Sequence, residues 1–261
     1  MINNLLHRQV VAVDSNLHRN TRLRVPHNDW SFASQLNSMF VAATEFGDAC
    51  REYPIVFVNA GKDEKDQTVI APIAVFGVTN NDNLFLDKTV WRGRYVPAML
   101  RVYPFCTAKV SAEQFAVCLD AAWNGVSTSE GEALYGADGK PTELLAGVQK
   151  QLEALETEVQ RTRLLCQRLQ EMELLRDMRF DATFGDGRKH SVEGFLTVDQ
   201  AKLEALPDAK LLELHKQGIL GLVHAHWISL GNMRTLLDWH QLRHPSAPAA
   251  PAAVNAAGSA A

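Results

Sequence analysis

The most informative segment of the sequence is Trp91-Arg-Gly-Arg-Tyr-Val-Pro-Ala-Met-Leu-Arg-Val-Tyr-Pro-Phe105. It concentrates aromatic rings, arginines and prolines, and its last four residues resemble Glu52-Tyr-Pro-Ile55 upstream. Proline fixes its own φ and pushes the residue before it into an extended conformation. Each Tyr-Pro pair therefore predicts a point at which a helix or turn passes into a strand.

The composition of the whole chain indicates an ordinary globular protein. It has 261 residues, of which 46% are hydrophobic and 21% charged, and this length can bury a sizeable core. The formal net charge of -4 argues against a chain-wide electrostatic affinity for nucleic acid. No apolar run approaches the roughly 20 residues that span a bilayer. We therefore expect no nucleic-acid partner and no membrane span.

The first residues bear on the compartment. Met1-Ile-Asn-Asn-Leu-Leu-His-Arg-Gln-Val-Val-Ala-Val13 lacks the basic start and the long apolar core of a secretory signal. We expect a cytoplasmic protein. The alternative is the cell surface, reached by a non-classical export route.

Residue patterns predict an α+β fold with a mainly antiparallel sheet in the N-terminal half. Short apolar and β-branched runs alternate there with polar turns. The predicted strands are residues 10–13, 22–25, 55–58, 69–78, 84–86, 107–110 and 115–119. A short helix at 45–52 interrupts them, with Thr44 as its N-cap and Pro54 after its end.

The C-terminal half is predicted to contain a long helix, a hairpin and further helices. Thr142 caps the long helix, and a hairpin of residues 180–184 and 190–198 turns at Gly185-Asp-Gly-Arg188. Asp199 then caps a short helix that ends near residue 206. Further helical patterns cover 208–217 and 219 to about 242, with Gly218 as the break between them.

The chain is predicted to form one α+β domain over residues 1–244, followed by an alanine- and proline-rich tail over 245–261. The tail has no charged and no aromatic side chain. It cannot bury enough apolar surface to offset the entropy of ordering, so we predict that it is disordered.

The long helix, predicted over residues 143–176, carries apolar or small residues that alternate four and three apart. These positions are Val148, Leu152, Leu155, Val159, Thr162, Cys166 and Leu169. Such a heptad pattern leaves two interpretations: a coiled coil that joins two copies in a homodimer, or a helix packed on its own sheet. Leu145, Leu165 and Met172 widen the apolar face, which favours the second interpretation.

Signals for metals and cofactors are weak. His224 and His226 lie two apart in a helical pattern, so their side chains diverge by about 200°. We therefore expect no metal and no other cofactor.

The cysteines have no CxxC spacing, which favours buried free thiols, with cysteine catalysis beside a histidine as the alternative. They are Cys50, Cys106, Cys118 and Cys166.

The best candidate for a ligand site lies in the opening segment. Arginines bind anionic groups through forked hydrogen bonds, and aromatic rings stack on planar groups. We predict a site for a small anionic or aromatic ligand, or for a protein partner, at Trp91, Arg94, Tyr95, Arg101 and Tyr103. The alternative is that the arginine stems cover apolar surface while the rings fill the core.

Several blocks along the chain carry a family resemblance. They include Arg51-Glu-Tyr-Pro-Ile-Val-Phe57, Asn83-Leu-Phe-Leu-Asp87, Arg94-Tyr-Val-Pro-Ala98, Arg101-Val-Tyr-Pro-Phe105, Asp186-Gly-Arg-Lys-His190 and Ser229-Leu-Gly231. In this order they resemble the bacterial SapC family, which is named after a protein associated with surface-layer gene clusters. The resemblance covers the chain from about His18 to Asp238.

The resemblance implies a protein of unknown biochemical activity and brings no catalytic residues with it. Because the first residues lack a secretory signal, we expect a non-catalytic intracellular binding or accessory protein. Two alternatives stand beside this expectation. One is an enzyme with a pocket near the Tyr-Pro pairs, and the other is a structural protein associated with the surface layer.

Overall fold

The computed structural model describes residues 2–25, 28–111, 114–183 and 189–245. Within these ranges antiparallel strands dominate the first half of the chain and helices the second, so the fold is α+β, as predicted. The turn predicted at Gly185-Asp-Gly-Arg188 lies outside the described residues. So does the predicted tail, apart from Pro245.

Five antiparallel strands form the central sheet. In spatial order they are β12 (Leu175–Thr183), β13 (Lys189–Val198), β4 (Ile55–Lys62), β5 (Thr68–Val75) and β3 (Ser38–Phe40). In β4, Phe57 pairs with Pro72 on one side and with Leu196 on the other. Ile55, Val56 and Phe57 are consecutive and all buried, so both faces of the sheet are covered at this point.

Smaller sheets surround the central one. Three strands pair in the order β1 (Val10–Ala12), β9 (Phe115–Asp120) and β8 (Phe105–Lys109), and three more in the order β10 (Val126–Ser127), β2 (Arg22–Leu23) and β11 (Glu132–Ala133). β6 (Leu86–Asp87) and β7 (Val90–Trp91) form a hairpin. The predicted strands are therefore present, with bounds that differ by a few residues.

Seven α-helices complete the described part of the chain. They are α1 (Phe46–Ala49), α2 (Ala98–Arg101), α3 (Glu143–Glu171), α4 (Gln200–Glu204), α5 (Asp208–Lys216), α6 (Ile219–Ser229) and α7 (Asn232–Arg243). Two 3-10 turns, Ser31–Ala33 and Ala43–Glu45, lie in the N-terminal half.

Both Tyr-Pro pairs lie where a helix passes into a strand, as predicted. The chain leaves α1 at Ala49 and reaches β4 directly after Tyr53-Pro54. It leaves α2 at Arg101 and reaches β8 directly after Tyr103-Pro104.

The cap predicted for the first helix was wrong. Thr44 is not an N-cap, because it lies inside the 3-10 turn that leads into α1. The carboxylate of Glu45 instead accepts the N–H of Ala42 at 2.8 Å. The helix also ends at Ala49 rather than at residue 52.

Helix α3 is shorter than predicted: it ends at Glu171, not at 176. Glu173 has a positive φ of 55°, and the N–H of Leu174 bonds the carbonyl of Leu169 at 3.0 Å. This is the hydrogen bond that closes a Schellman-type helix end. The cap of α3 at Thr142 is confirmed, since its side chain accepts the N–H of Leu145.

The apolar face of α3 packs against its own chain, as the second interpretation of the heptad pattern predicts. Leu152, Leu155, Cys166 and Leu169 are all buried in the core. Thr162 has a specific role, because its hydroxyl accepts the N–H of Ala43 at 2.9 Å and so ties α3 to the 3-10 turn. A homodimer through this helix stays a prediction.

The last predicted helix is in fact two. Gly218 separates α5 from α6 with a φ of 73°, as predicted, but a further break at Leu230 and Gly231 separates α6 from α7. Just past this break, the side-chain amide of Asn232 donates to the carbonyls of Cys50 and Tyr53, at 2.8 and 3.2 Å. These bonds hold the C-terminal helices on the first Tyr-Pro turn.

Candidate functional site

The five residues of the predicted ligand site do not lie together. Trp91 is a core residue, only 7% exposed, and its indole N–H donates to the hydroxyl of Tyr53 at 3.0 Å. Its ring contacts those of Phe76 and Phe85. Trp91 therefore fills the core, as the alternative interpretation of this segment predicts.

Tyr103 is also buried. Its hydroxyl donates to Asp120 at 2.9 Å, and its ring stacks on Phe32 with the centroids 4.1 Å apart. Burial and this hydrogen bond raise the pKa of Tyr103 above its ordinary value, so it remains a neutral phenol. One edge of the residue borders a hollow of about 170 Å³ next to Arg8.

Arg94 is exposed. Its backbone N–H donates to the carboxylate of Glu52 at 2.8 Å, which fixes the course of the loop rather than the position of the guanidinium. Tyr95 and Arg101 alone among the five residues line a common groove.

This groove has a volume of about 490 Å³, within the range of small-molecule sites. One wall is α2 with Tyr95, and the other is the middle of α3. Its apolar lining consists of Ala42, Ala98, Val102, Ala154 and Leu155. Its polar side chains other than Tyr95 and Arg101 are Thr44, Glu45, Gln151 and Glu158.

Arg101 provides the positive charge of the groove. Its guanidinium carbon lies 5.5 Å from the centre of the Tyr95 ring, a cation–π distance. It makes no hydrogen bond and no ion pair with any residue that the structure describes. The guanidinium is therefore available to bind an anion.

Glu45 is built into the wall of the groove. Its Oε1 accepts the hydroxyl of Tyr95 and the N–H of Ala98, both at 2.7 Å, and its Oε2 accepts the N–H of Ala42. Burial and the bond to Glu45 raise the pKa of Tyr95. Three donors thus compensate the carboxylate of Glu45, and the hydroxyl of Tyr95 is occupied.

Glu158 faces the same groove from α3. Its Oε1 pairs with Arg161 at 2.6 Å, whereas its Oε2 is buried and has no hydrogen-bond partner among the described residues. A buried carboxylate oxygen without a partner is costly to the fold.

The cysteines are free, as predicted, but Cys50 is only partly buried, contrary to the prediction. Two of the three buried cysteines are shielded from acting as nucleophiles. Burial raises the pKa of Cys166 to about 12 and that of Cys106 to about 11. Both are therefore thiols at neutral pH, whereas a nucleophilic cysteine needs a thiolate.

His226 has a structural position. It is fully buried, and its Nδ1 bonds the carbonyl of Ile55 at 2.7 Å. Its Nε2 accepts the N–H of Val198 at 3.3 Å and lies 2.8 Å from the hydroxyl of Thr197. These partners fix a neutral ring that joins α6 to β4 and β13. His224 is exposed, and its Nδ1 lies 2.6 Å from the carbonyl oxygen of Leu220 on the same helix.

Sequence reasoning missed two features. Gln151, Ala154, Leu155 and Glu158 recur three and four apart, so they share a helix face and could have been recognised as one wall. Asp82, His240 and His244, whose ligand atoms lie within 4.8 Å of one another, form a second cluster that could hold a metal ion. The spacing of four between its histidines was the available signal.

The chain is thus an α+β protein with a groove, large enough for a small molecule, between α3 and the segment of α2 and Tyr95. The family model described as SapC matches residues 13–236, which is most of the chain. The chain therefore belongs to the SapC family. Comparisons with curated proteins and with solved structures found no match.

The structure also bears on the membrane. Across the described ranges, each helix is too short or too polar to cross a bilayer.

Proposed function

We propose that this SapC-family chain is a non-catalytic binding protein, and that its groove between α2 and α3 holds a small ligand with an anionic group and an apolar or aromatic body. The observation that carries the proposal is the guanidinium of Arg101, which lies over Tyr95 at the edge of the groove without an ion pair among the described residues. An unpaired arginine on an aromatic ring is a typical anchor for a carboxylate or phosphate.

The rest of the lining supports an amphipathic ligand. Ala98, Val102 and Leu155 offer apolar surface beside Arg101, which suits a ring or an alkyl chain. Glu45 does not repel the anionic end strongly, because three donors already compensate its charge.

A binding role fits the groups around the groove better than catalysis does. A nucleophile needs a base within hydrogen-bond reach. The phenol of Tyr95 is held neutral by burial and by its bond to Glu45, and Glu45 is occupied by its own donors. These groups hold the wall in one shape, which lowers the entropic cost of binding.

Calorimetric titration with a matched probe series tests the proposal. The probe is 4-hydroxyphenylacetate, which combines a carboxylate, a ring and a hydroxyl donor; 4-ethylphenol keeps the ring and the hydroxyl but replaces the carboxylate with a neutral methyl group. We expect the parent chain to bind the anion in preference to the neutral phenol. Arg101→Met should weaken binding of the anion by roughly tenfold or more, the effect of one charge-assisted hydrogen bond.

Arg94→Met is the control, because Arg94 is an exposed arginine of the same segment outside the groove. It should leave the affinity unchanged. Equal affinities of the parent and of Arg101→Met, or an equal loss in both variants, would contradict the assignment of the groove. Binding of neither probe by the parent would also contradict it.

A further inference from the structure

We propose that Asp82, His240 and His244 form a binding site for a divalent transition-metal ion such as zinc. Nε2 of His244 lies 3.0 Å from Oδ2 of Asp82, and Nδ1 of His240 lies 3.5 Å from the same oxygen. The site shares no residue with the groove and stands independently of the proposed function.

The distances match what a metal ion requires of its ligands. Zinc binds imidazole nitrogen and carboxylate oxygen at about 2.0–2.2 Å, which places tetrahedral ligand atoms roughly 3.4 Å from one another. The two measured distances to Asp82 bracket this value, and all three ligand atoms lie within 4.8 Å. A small side-chain rotation would close the set around one ion.

The local structure explains why these residues meet. His240 lies in the last turn of α7 and His244 is the residue directly after it; the N–H of His244 bonds the carbonyl of His240 at 2.9 Å, and the two ring centroids are 4.6 Å apart. Asp82 belongs to the turn between β5 and β6. Two histidines four apart on a helix with a carboxylate from another element is a recurrent metal-binding arrangement.

Arg243 orients the carboxylate. One of its guanidinium nitrogens donates to Oδ1 of Asp82 and to the carbonyl of Asn83, each at 2.7 Å, and the other donates to the carbonyl of Leu86. Oδ2 of Asp82 therefore faces the two histidines. In many metal sites a residue that does not touch the metal orients a ligand by a hydrogen bond in this way. The guanidinium of Arg243 also donates to two backbone carbonyls, and their partial negative charges lessen its repulsion of a nearby cation.

Exposure leaves room for a further ligand. The side chains of Asp82 and His240 are 14% and 12% exposed, whereas that of His244 is 48% exposed. Three protein ligands with one side toward solvent leave a coordination position for water or for an exogenous group. The competing interpretation is a metal-free ion pair between a protonated histidine and Asp82.

Metal titration of the full chain separates the two interpretations. The protein is freed of metal with a chelator and then titrated with Zn²⁺ by calorimetry, and with Co²⁺ as a spectroscopic probe. We expect about one ion per chain and visible absorption bands typical of cobalt bound by nitrogen and oxygen. His244→Ala and Asp82→Asn should each weaken Zn²⁺ binding by roughly tenfold or more.

His224→Ala is the matched control, since His224 is an exposed histidine on α6 outside the cluster. It should bind Zn²⁺ as the parent does. His244 is the last described histidine and is half-exposed, so its removal should preserve the circular dichroism spectrum. No saturable binding by the parent, or full binding by folded His244→Ala, would overturn the metal site and leave the ion pair.

Discussion

Single buried polar side chains connect distant parts of this protein. His226 is the clearest case, because it bonds the backbone of β4 through Nδ1 and that of β13 through Nε2. Protonation would place a hydrogen on Nε2, where the N–H of Val198 already donates. A neutral ring is therefore part of the folded structure.

The first prediction concerns pH. Burial lowers the pKa of His226 to about 4, against an ordinary value of 6.5. Between these values the unfolded chain binds a proton that the folded chain does not. The contribution of His226 is therefore complete above about pH 6.5 and is lost as the pH falls toward 4, by roughly 3 kcal/mol in total. Urea unfolding at pH 7 and at pH 4.5 measures the loss.

The second prediction concerns the side chain itself. His226→Ala should lower the free energy of unfolding at pH 7 by roughly 2–4 kcal/mol, because it leaves a cavity and unpaired backbone groups. It should also reduce the change in stability between pH 7 and pH 4.5. His224→Ala, on the exposed side of the same helix, is the control. An unchanged pH dependence in His226→Ala would contradict the assignment to this residue.

Only part of the candidate site could be predicted at the residue scale. Tyr95 and Arg101 line a common groove, and their role in binding stays a prediction, whereas Trp91 and Tyr103 belong to the core. A pattern of residue types indicates which groups could bind a ligand, but it does not indicate which way each side chain points. Whether an aromatic ring faces a cleft or the core depends on distant partners such as Tyr53 and Asp120.

At the scale of elements, α3 supports the central sheet and forms one wall of the groove. Its packing explains why a heptad pattern does not require a second chain here: the apolar positions meet β5, β8 and the 3-10 turn at Ala43–Glu45. Two adjacent leucines on this helix offer a sharp test of the arrangement.

The third prediction compares these leucines. Leu165 is 9% exposed and Leu164 is 65% exposed. Leu165→Ala should lower the free energy of unfolding by roughly 2–4 kcal/mol, whereas Leu164→Ala should change it by less than about 0.5 kcal/mol. Denaturant unfolding measures both. A larger effect of Leu164→Ala that depends on protein concentration would instead show a second copy on the outer face of α3.

The elements also show which sequence signals are dependable. Proline and glycine act locally, so both Tyr-Pro transitions and the break at Gly218 could be predicted. The end of α3 could not, because Glu173 adopts the left-handed conformation without a glycine to mark it. The helix break at Gly231 was missed for a related reason: its φ of -59° is helical, and contacts of Asn232 with a distant turn accompany the break.

At the scale of the whole molecule, the sequence predicts a folded body over residues 1–244 and a dispensable tail. The fourth prediction is that a chain ending at His244 keeps its melting temperature, since the remaining residues carry no charged or aromatic side chain. Thermal unfolding followed by circular dichroism compares it with the full chain. A fall of more than about 4 °C, the shift expected for loss of about 1 kcal/mol, would show that the tail packs on the body.

The proposed binding site in the groove between α2 and α3 can be tested at the level of single residues. The most direct measurement is a map of backbone amide shifts in the ¹⁵N-labelled full chain during titration with 4-hydroxyphenylacetate. We expect saturable shifts concentrated at residues 42–45, 95–102 and 151–158, which fade in Arg101→Met. Shifts that instead cluster around Tyr103 and Arg8, or that never saturate anywhere on the chain, would contradict the assignment of the groove.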